Sequence, residues 1–407
     1  MSKLVGRKYL LPFILITSLF FMWGFARAIL DVLNKHFQQE MHISITQSAL
    51  IQVTTYLGYF LMALPAGALI TRYGYRRGVV TGLMLFGIGS LLFIPGQMTM
   101  SFAVFLFALF VIGCGLVLLE TSANPYAAEL GSRETAASRL NLAQSFNGLG
   151  CIIAPVTVGA VLFTGSDSNV AIPYTIMGIV VLVVAVIFSR VNLPEITPDT
   201  DDVSDEPEAQ QGVFKTVGAL LRRPTFRYGL IALFCYEISE ISINSLFINY
   251  ATADGWMSPE TAAAVLSFGA LGLFMLARVA GSVIMSRVPA PKVLCVCAVM
   301  TVLGALAVTL NAGNFSRAGV FVCYAFEAIM FPTIFAVTIS DAGKSVKIAS
   351  SLLMMTPIGG AVGTLLMGLV ADAHSLSEAF LIPAAGYAVV LGYALKNLKK
   401  APGAKRA

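Results

Sequence analysis

Five carboxylates stand inside apolar stretches of this chain: Asp31, Glu120, Glu237, Glu240 and Glu327. Two arginines, Arg27 and Arg278, stand in similar surroundings. A charge at the centre of a bilayer costs at least about 2.5–3.5 kcal/mol on insertion scales. Such groups therefore face a wet interior, pair with one another or hold a proton. Carboxylates in excess of their cationic partners suit the carriage of protons. Spacing adds detail. Arg27 and Asp31 are four residues apart and share a helical face, as do Glu120 and Asn124. Gln144 and Asn147 are three apart, and so are Glu237 and Glu240. Amides so placed offer donors and acceptors to hydroxyl groups. A cation beside a carboxyl favours its charged form, so pairing with Arg27 would make Asp31 the weaker proton carrier. Glu120 and Glu240 have no cation in local reach along the sequence.

The elements that hold these residues follow from composition. The chain has 407 residues, 57% hydrophobic and 12% charged, with a mean hydropathy of +0.83. Soluble domains are about half apolar and about a quarter charged. So little charge cannot cover a globule in water, which argues against a soluble enzyme, a nucleic-acid binder or a disordered scaffold. Crossing a bilayer takes about 20 apolar residues. Twelve segments qualify, near 10–34, 46–71, 78–96, 101–128, 138–164, 170–189, 225–250, 260–286, 292–311, 315–340, 347–371 and 377–396. The predicted fold is an all-α membrane protein of twelve transmembrane helices in two six-helix halves. Residues 1–190 form the first half and 224–407 the second. The connection 191–223 is long, acidic and Pro-containing, and reads as a solvated linker.

Basic residues orient the bundle. Of the 26 lysines and arginines, Arg27 and Arg278 lie within spans, and Lys35 and Arg317 lie on one side. All the others fall on the opposite side, together with both termini and the linker. That side is predicted to be the cytoplasm. No cleavable signal is expected, because the first apolar run exceeds the roughly 7–15 residues of a signal core. The six cysteines lie in apolar runs, so no disulfide is expected. Cys295 and Cys297 have no histidine nearby, so no metal site is expected either.

The two halves echo each other. Glu120 precedes Pro125 by five residues in span 4, and Glu327 precedes Pro332 by five in span 10. Gly67-Ala-Leu-Ile-Thr-Arg72 resembles Gly281-Ser-Val-Ile-Met-Ser-Arg287. Duplicated halves with a site near the midplane are a transporter signature. The buried acids lie on spans 1, 4, 7 and 10, whereas the interiors of spans 3, 6, 9 and 12 carry no charge. The first set is predicted to line the interior and the second to face lipid.

At these residues the chain resembles the fucose:proton symporter family of the major facilitator superfamily, which also holds glucose/galactose transporters. The resemblance covers essentially all twelve spans. Its most specific pieces are FFMWGF with ILDVLNKHFQQ in span 1, Leu119-Glu120-Thr121-Ser122-Ala123-Asn124-Pro125 in span 4, and Arg139-Leu-Asn-Leu-Ala-Gln144-Ser-Phe-Asn147 entering span 5. SLFINY (245–250), FPTIF (331–335) and the IGG after Pro357 are similar too. The resemblance implies that Asp31 and Glu120 couple protons and that Gln144 and Asn147 contact sugar hydroxyls. It places Glu240, with Asn249 of SLFINY, on the substrate side. Asn124, Arg27 and Glu327 complete the candidate substrate set. Leu30 stands where the family usually has Asn. Arg27, Glu237 and Glu327 add to the family pattern, and such extra polar pairs point toward a modified, amino- or acid-bearing sugar.

The expected function is import of a hexose, deoxyhexose or modified sugar with protons, by alternating access, across a bacterial inner membrane. A drug or metabolite:proton antiporter and a sodium-coupled sugar symporter are the alternatives. No cofactor, metal or nucleic-acid partner is expected. The partners are a sugar, protons and the lipid bilayer, and the working unit is a monomer. The chain has no G-x-x-x-x-G-K-[ST] loop for nucleotide. None of its histidines (His36, His42, His374) lies mid-span, which argues against an enzyme.

Overall fold

A computed structural model describes residues 9–130, 136–164, 169–191, 213–285, 288–340 and 345–398. The termini, the loop around Arg133 and residues 192–212 of the predicted linker lie outside the described residues. Those described form helices and no strand. Eleven stretches are long and apolar enough to cross a membrane: Leu10–Glu40, Ile45–Ile70, Tyr75–Thr99, Phe102–Asn124, Ala171–Arg190, Pro224–Ala253, Pro259–Met285, Ala290–Thr309, Asn314–Ile339, Ile348–Ala373 and Leu376–Leu398. The helix Ala136–Thr164 supplies the remaining predicted span. They are numbered here spans 1 to 12 in chain order, Ala136–Thr164 being span 5.

Packing follows small residues. Spans 1 and 5 lie close because Gly24 meets the Asn147 backbone and Gly150 meets that of Phe21, where a Cβ would collide. Spans 7 and 11 repeat the device at Gly359 and Gly363, which face Phe234 and Ile238. Close backbone approach at small residues is how helices associate in lipid. Among the described residues the main contacts between the halves are those of span 1 with 7, span 2 with 11, and span 5 with 8. Spans 3 and 6 pack within the first half and spans 9 and 12 within the second. Their outward stripes are apolar at helical spacing: Ile172, Ile176, Ile179, Val183 and Val186 on span 6, and Val296, Val299, Leu303, Leu306 and Leu310 on span 9, all exposed. Spans 6 and 9 thus present apolar stripes outward, as predicted for lipid-facing spans, while spans 1, 2, 5, 7, 8 and 11 make the contacts between the halves.

At the end of the bundle opposite the linker, bonds cross between halves. Asp372 on span 11 accepts from the backbone N–H of Ile45 and Thr46, at 3.2 and 2.9 Å, where span 2 begins. Asn249 Nδ2 donates to Gln38 Oε1 at 2.5 Å, and Asn34 Nδ2 to the Ser245 carbonyl at 3.0 Å. At the other end, residues 213–222 of the predicted linker form an amphipathic helix, Val213–Arg222. It buries Leu220 and packs on spans 7 and 11.

Two spans depart from α-helix. Span 8 carries a π-helical stretch, Val265–Leu271, facing span 5. Span 10 breaks between Glu327 and Met330.

Candidate functional site

The centre of the molecule is an ion cluster across the two halves. Arg27 on span 1 donates from Nη2 to Glu240 Oε2 on span 7 at 3.1 Å, and Glu237 Oε2 lies 3.6 Å from the same nitrogen. Its Nε donates to Tyr56 Oη on span 2 at 3.2 Å. The other oxygen of Glu240 accepts from Asn244 Nδ2 at 2.9 Å, one turn along the same helix. Arg27 keeps 34% of its side chain exposed while bonding across this interface, so an opening runs beside it. Its partner is thus not Asp31, the neighbour on its own helix face. Glu240, which lacks a cation nearby in sequence, gains one from the opposite half.

Asp31 instead faces neutral donors. Its Oδ1 accepts from Gln52 Nε2 on span 2 and Ser245 Oγ on span 7, each at 3.4 Å. Glu120 on span 4 is half-buried and accepts from Tyr59 Oη at 2.9 Å. Among the described residues neither acid has a lysine or arginine in ion-pair contact. The rings of Tyr59 and Tyr56 are 5.6 Å apart, so aromatic contact carries the polar chain from Glu120 to Arg27. One residue per turn does this: Gln52, Tyr56 and Tyr59 recur at i, i+4 and i+7 along one face of span 2. Sequence reasoning missed all three, although their spacing was the signal.

The amides divide into two kinds. Gln144 Nε2 donates to Asn124 Oδ1 at 3.4 Å, joining spans 5 and 4, and both residues stay half-exposed. Asn147 Nδ2 donates to the Phe20 carbonyl at 3.2 Å, against the close contact at Gly24. It therefore helps hold spans 1 and 5 together as well as facing the interior. Two predicted substrate residues are not brought to the cluster. Asn249 bonds Gln38 at the far end of span 7, nine residues or roughly 13 Å along the helix from Glu240. Glu327 is fully buried and accepts a hydrogen bond from Tyr387 Oη on span 12.

The sequence profile described as Major Facilitator Superfamily matches residues 16–356. This chain belongs to that superfamily. It is a multi-pass membrane transporter rather than an enzyme. It is 34% identical to the L-fucose-proton symporter of Escherichia coli, covering 96% of this chain and 93% of that protein. It is also 34% identical to a glucose/galactose transporter of Brucella abortus, over 94% and 93% of the two chains. The crystal structure of the E. coli fucose:proton symporter superposes with a TM-score of 0.74 at 33% identity, covering 96% of this chain and 99% of that one. A D-xylose-proton symporter shares the fold at 14% identity, with a TM-score of 0.73.

Proposed function

We propose that this transporter carries a sugar inward together with protons, rocking residues 1–190 against 224–407 about the central cluster. The observation that carries this reading is the pairing of two kinds of group in one place. Asp31 and Glu120 are acids met by neutral donors, and Glu120 stands one helical turn from Asn124, which accepts from Gln144 and like it is half-exposed. The likeness in sequence to sugar–proton symporters over nearly the whole chain supports it. Asp31 and Glu120 together take up one proton from outside, which removes a charge from a low-dielectric interior and lets the loaded carrier turn. Gln144, Asn124 and Asn147 bond the sugar hydroxyls, and Arg27 with Glu240 supplies the charged edge of the site.

The basic residues put the linker 191–223 and both termini in the cytoplasm of a bacterial inner-membrane protein. The contacts at Asp372, Asn249 and Asn34 then close the outer side. The carrier works as a monomer in the bilayer. Vesicles containing the protein and offered a panel of labelled sugars test the reading. A sugar should accumulate when the outside is made acidic and not when sodium alone is applied. Accumulation under sodium alone would transfer the role to that ion, and expulsion of substrate by an inward proton gradient would make the carrier an antiporter.

A further inference from the structure

Glu327 is the buried acid that the central cluster does not use. It is fully buried, as are Tyr387 and Tyr324 beside it. One carboxyl oxygen accepts from Tyr387 Oη. The other, Oε1, has no hydrogen-bond partner, and neither has the hydroxyl of Tyr324 one turn earlier. The titratable groups facing it are Tyr387 from span 12, Tyr324 and Cys323 from its own span, Tyr236 and Glu240 from span 7, and Arg278 from span 8. None of them is a cation in ion-pair contact. An ionised carboxylate in such surroundings is strongly disfavoured, whereas a protonated one places a donor where an orphaned atom stands.

The acid also sits at a break. Span 10 stops being helical immediately after Glu327 and resumes at Met330. Pro332 has no N–H for the Ala328 carbonyl four residues before it. Arg278 Nε fills the gap, donating to that carbonyl at 3.0 Å. The guanidinium is thus held at the hinge by the backbone, with its face over the Phe274 ring, and is not spent on the neighbouring acid. A broken helix whose freed carbonyl is met by a side chain is a place where a span can bend.

We propose that Glu327 is a second proton-binding site, separate from Asp31 and Glu120, set at the hinge of span 10 and loaded in this conformation. Bending of span 10 away from span 12 opens the seal at Tyr387 and lets the proton leave. This rests on the symport reading above, and makes the overall exchange two protons per sugar.

Two measurements test it. Infrared spectra of the sugar-free wild type should contain a protonated-carboxyl band that is absent in Glu327→Gln. The band should shift in Tyr387→Phe, which keeps the acid but removes its donor and so carries the test if the first variant fails to fold. With a pH difference of one unit and no membrane potential, wild type should accumulate sugar about 100-fold and Glu327→Gln about tenfold, since each proton contributes one factor of ten. An infrared band unaltered in both variants, or equal accumulation by wild type and Glu327→Gln, would overturn the proposal. Wild-type accumulation that ignores the pH difference would instead defeat the symport reading, while the infrared result still decides whether Glu327 holds a proton.

Discussion

Glu120 and Glu327 occupy equivalent places in the two halves, each five residues before a proline, yet their surroundings differ in kind. Span 4 runs as one helix from Phe102 to Glu129 through its proline. Span 10 breaks at the residue after its glutamate. Glu120 is half-exposed and takes its hydrogen bond from span 2, which faces the opposite half. Glu327 is sealed and takes its bond from span 12, on the outside of its own half. A duplicated motif therefore preserves spacing but not access to water. The neighbour that supplies the tyrosine decides whether the acid belongs to the central site or to the scaffold's hinge.

The largest expected effect concerns Arg27, which is bonded at the centre and to neither glutamate of the repeat. Arg27→Ala leaves Glu237 and Glu240 buried without their cation. Breaking one side of a buried pair costs about 3–5 kcal/mol. The variant should melt well below wild type, and adding Glu240→Gln should recover part of the loss. Equal melting of the single and double variants would mean that the pair is not coupled. A smaller effect probes the hinge. Arg278→Ala strands the Ala328 carbonyl, at a cost of about 1–3 kcal/mol. Pro332→Ala returns a backbone N–H to that carbonyl, so Arg278→Ala should be nearly neutral in that background. Span 10 would then resemble span 4, and transport should slow although stability rises. Additive losses would break the contrast between the two spans.

The smallest effects separate the amides of span 5. Gln144→Ala removes hydrogen bonds worth roughly 0.5–1.5 kcal/mol. It should weaken sugar binding severalfold with an unchanged melting temperature. Asn147→Ala should lower both, because Asn147 also bonds the Phe20 carbonyl across the contact at Gly24. Identical behaviour of the two variants would show that this bond contributes nothing to helix packing.

Much of this architecture is legible in the sequence, for physical reasons. Apolar length marks the spans, and acids inside them mark the interior, because lipid penalises both exposed backbone and exposed charge. Local spacing was a poorer guide to partners. Arg27 and Asp31 share a helix face, yet the arginine turns to Glu237 and Glu240 on span 7. Such pairings depend on how two distant helices meet. The polar face Gln52–Tyr56–Tyr59 could have been found by its helical period, but tyrosines in an apolar span read as packing. The difference between Glu120 and Glu327 could not be found that way, since the two motifs are alike and only the packing of spans 2 and 12 distinguishes them.

On the proposed reading, sugar uptake is tied to protons through Glu120. This is tested most directly by adding sugar outside lightly buffered vesicles that contain the protein, while recording external pH. Wild type should make the outside more alkaline as protons enter with the sugar. Glu120→Gln, which keeps an acceptor for Tyr59 but cannot release a proton, should give no pH change while still exchanging labelled sugar for unlabelled. A wild-type pH signal from Glu120→Gln would remove this residue from proton coupling.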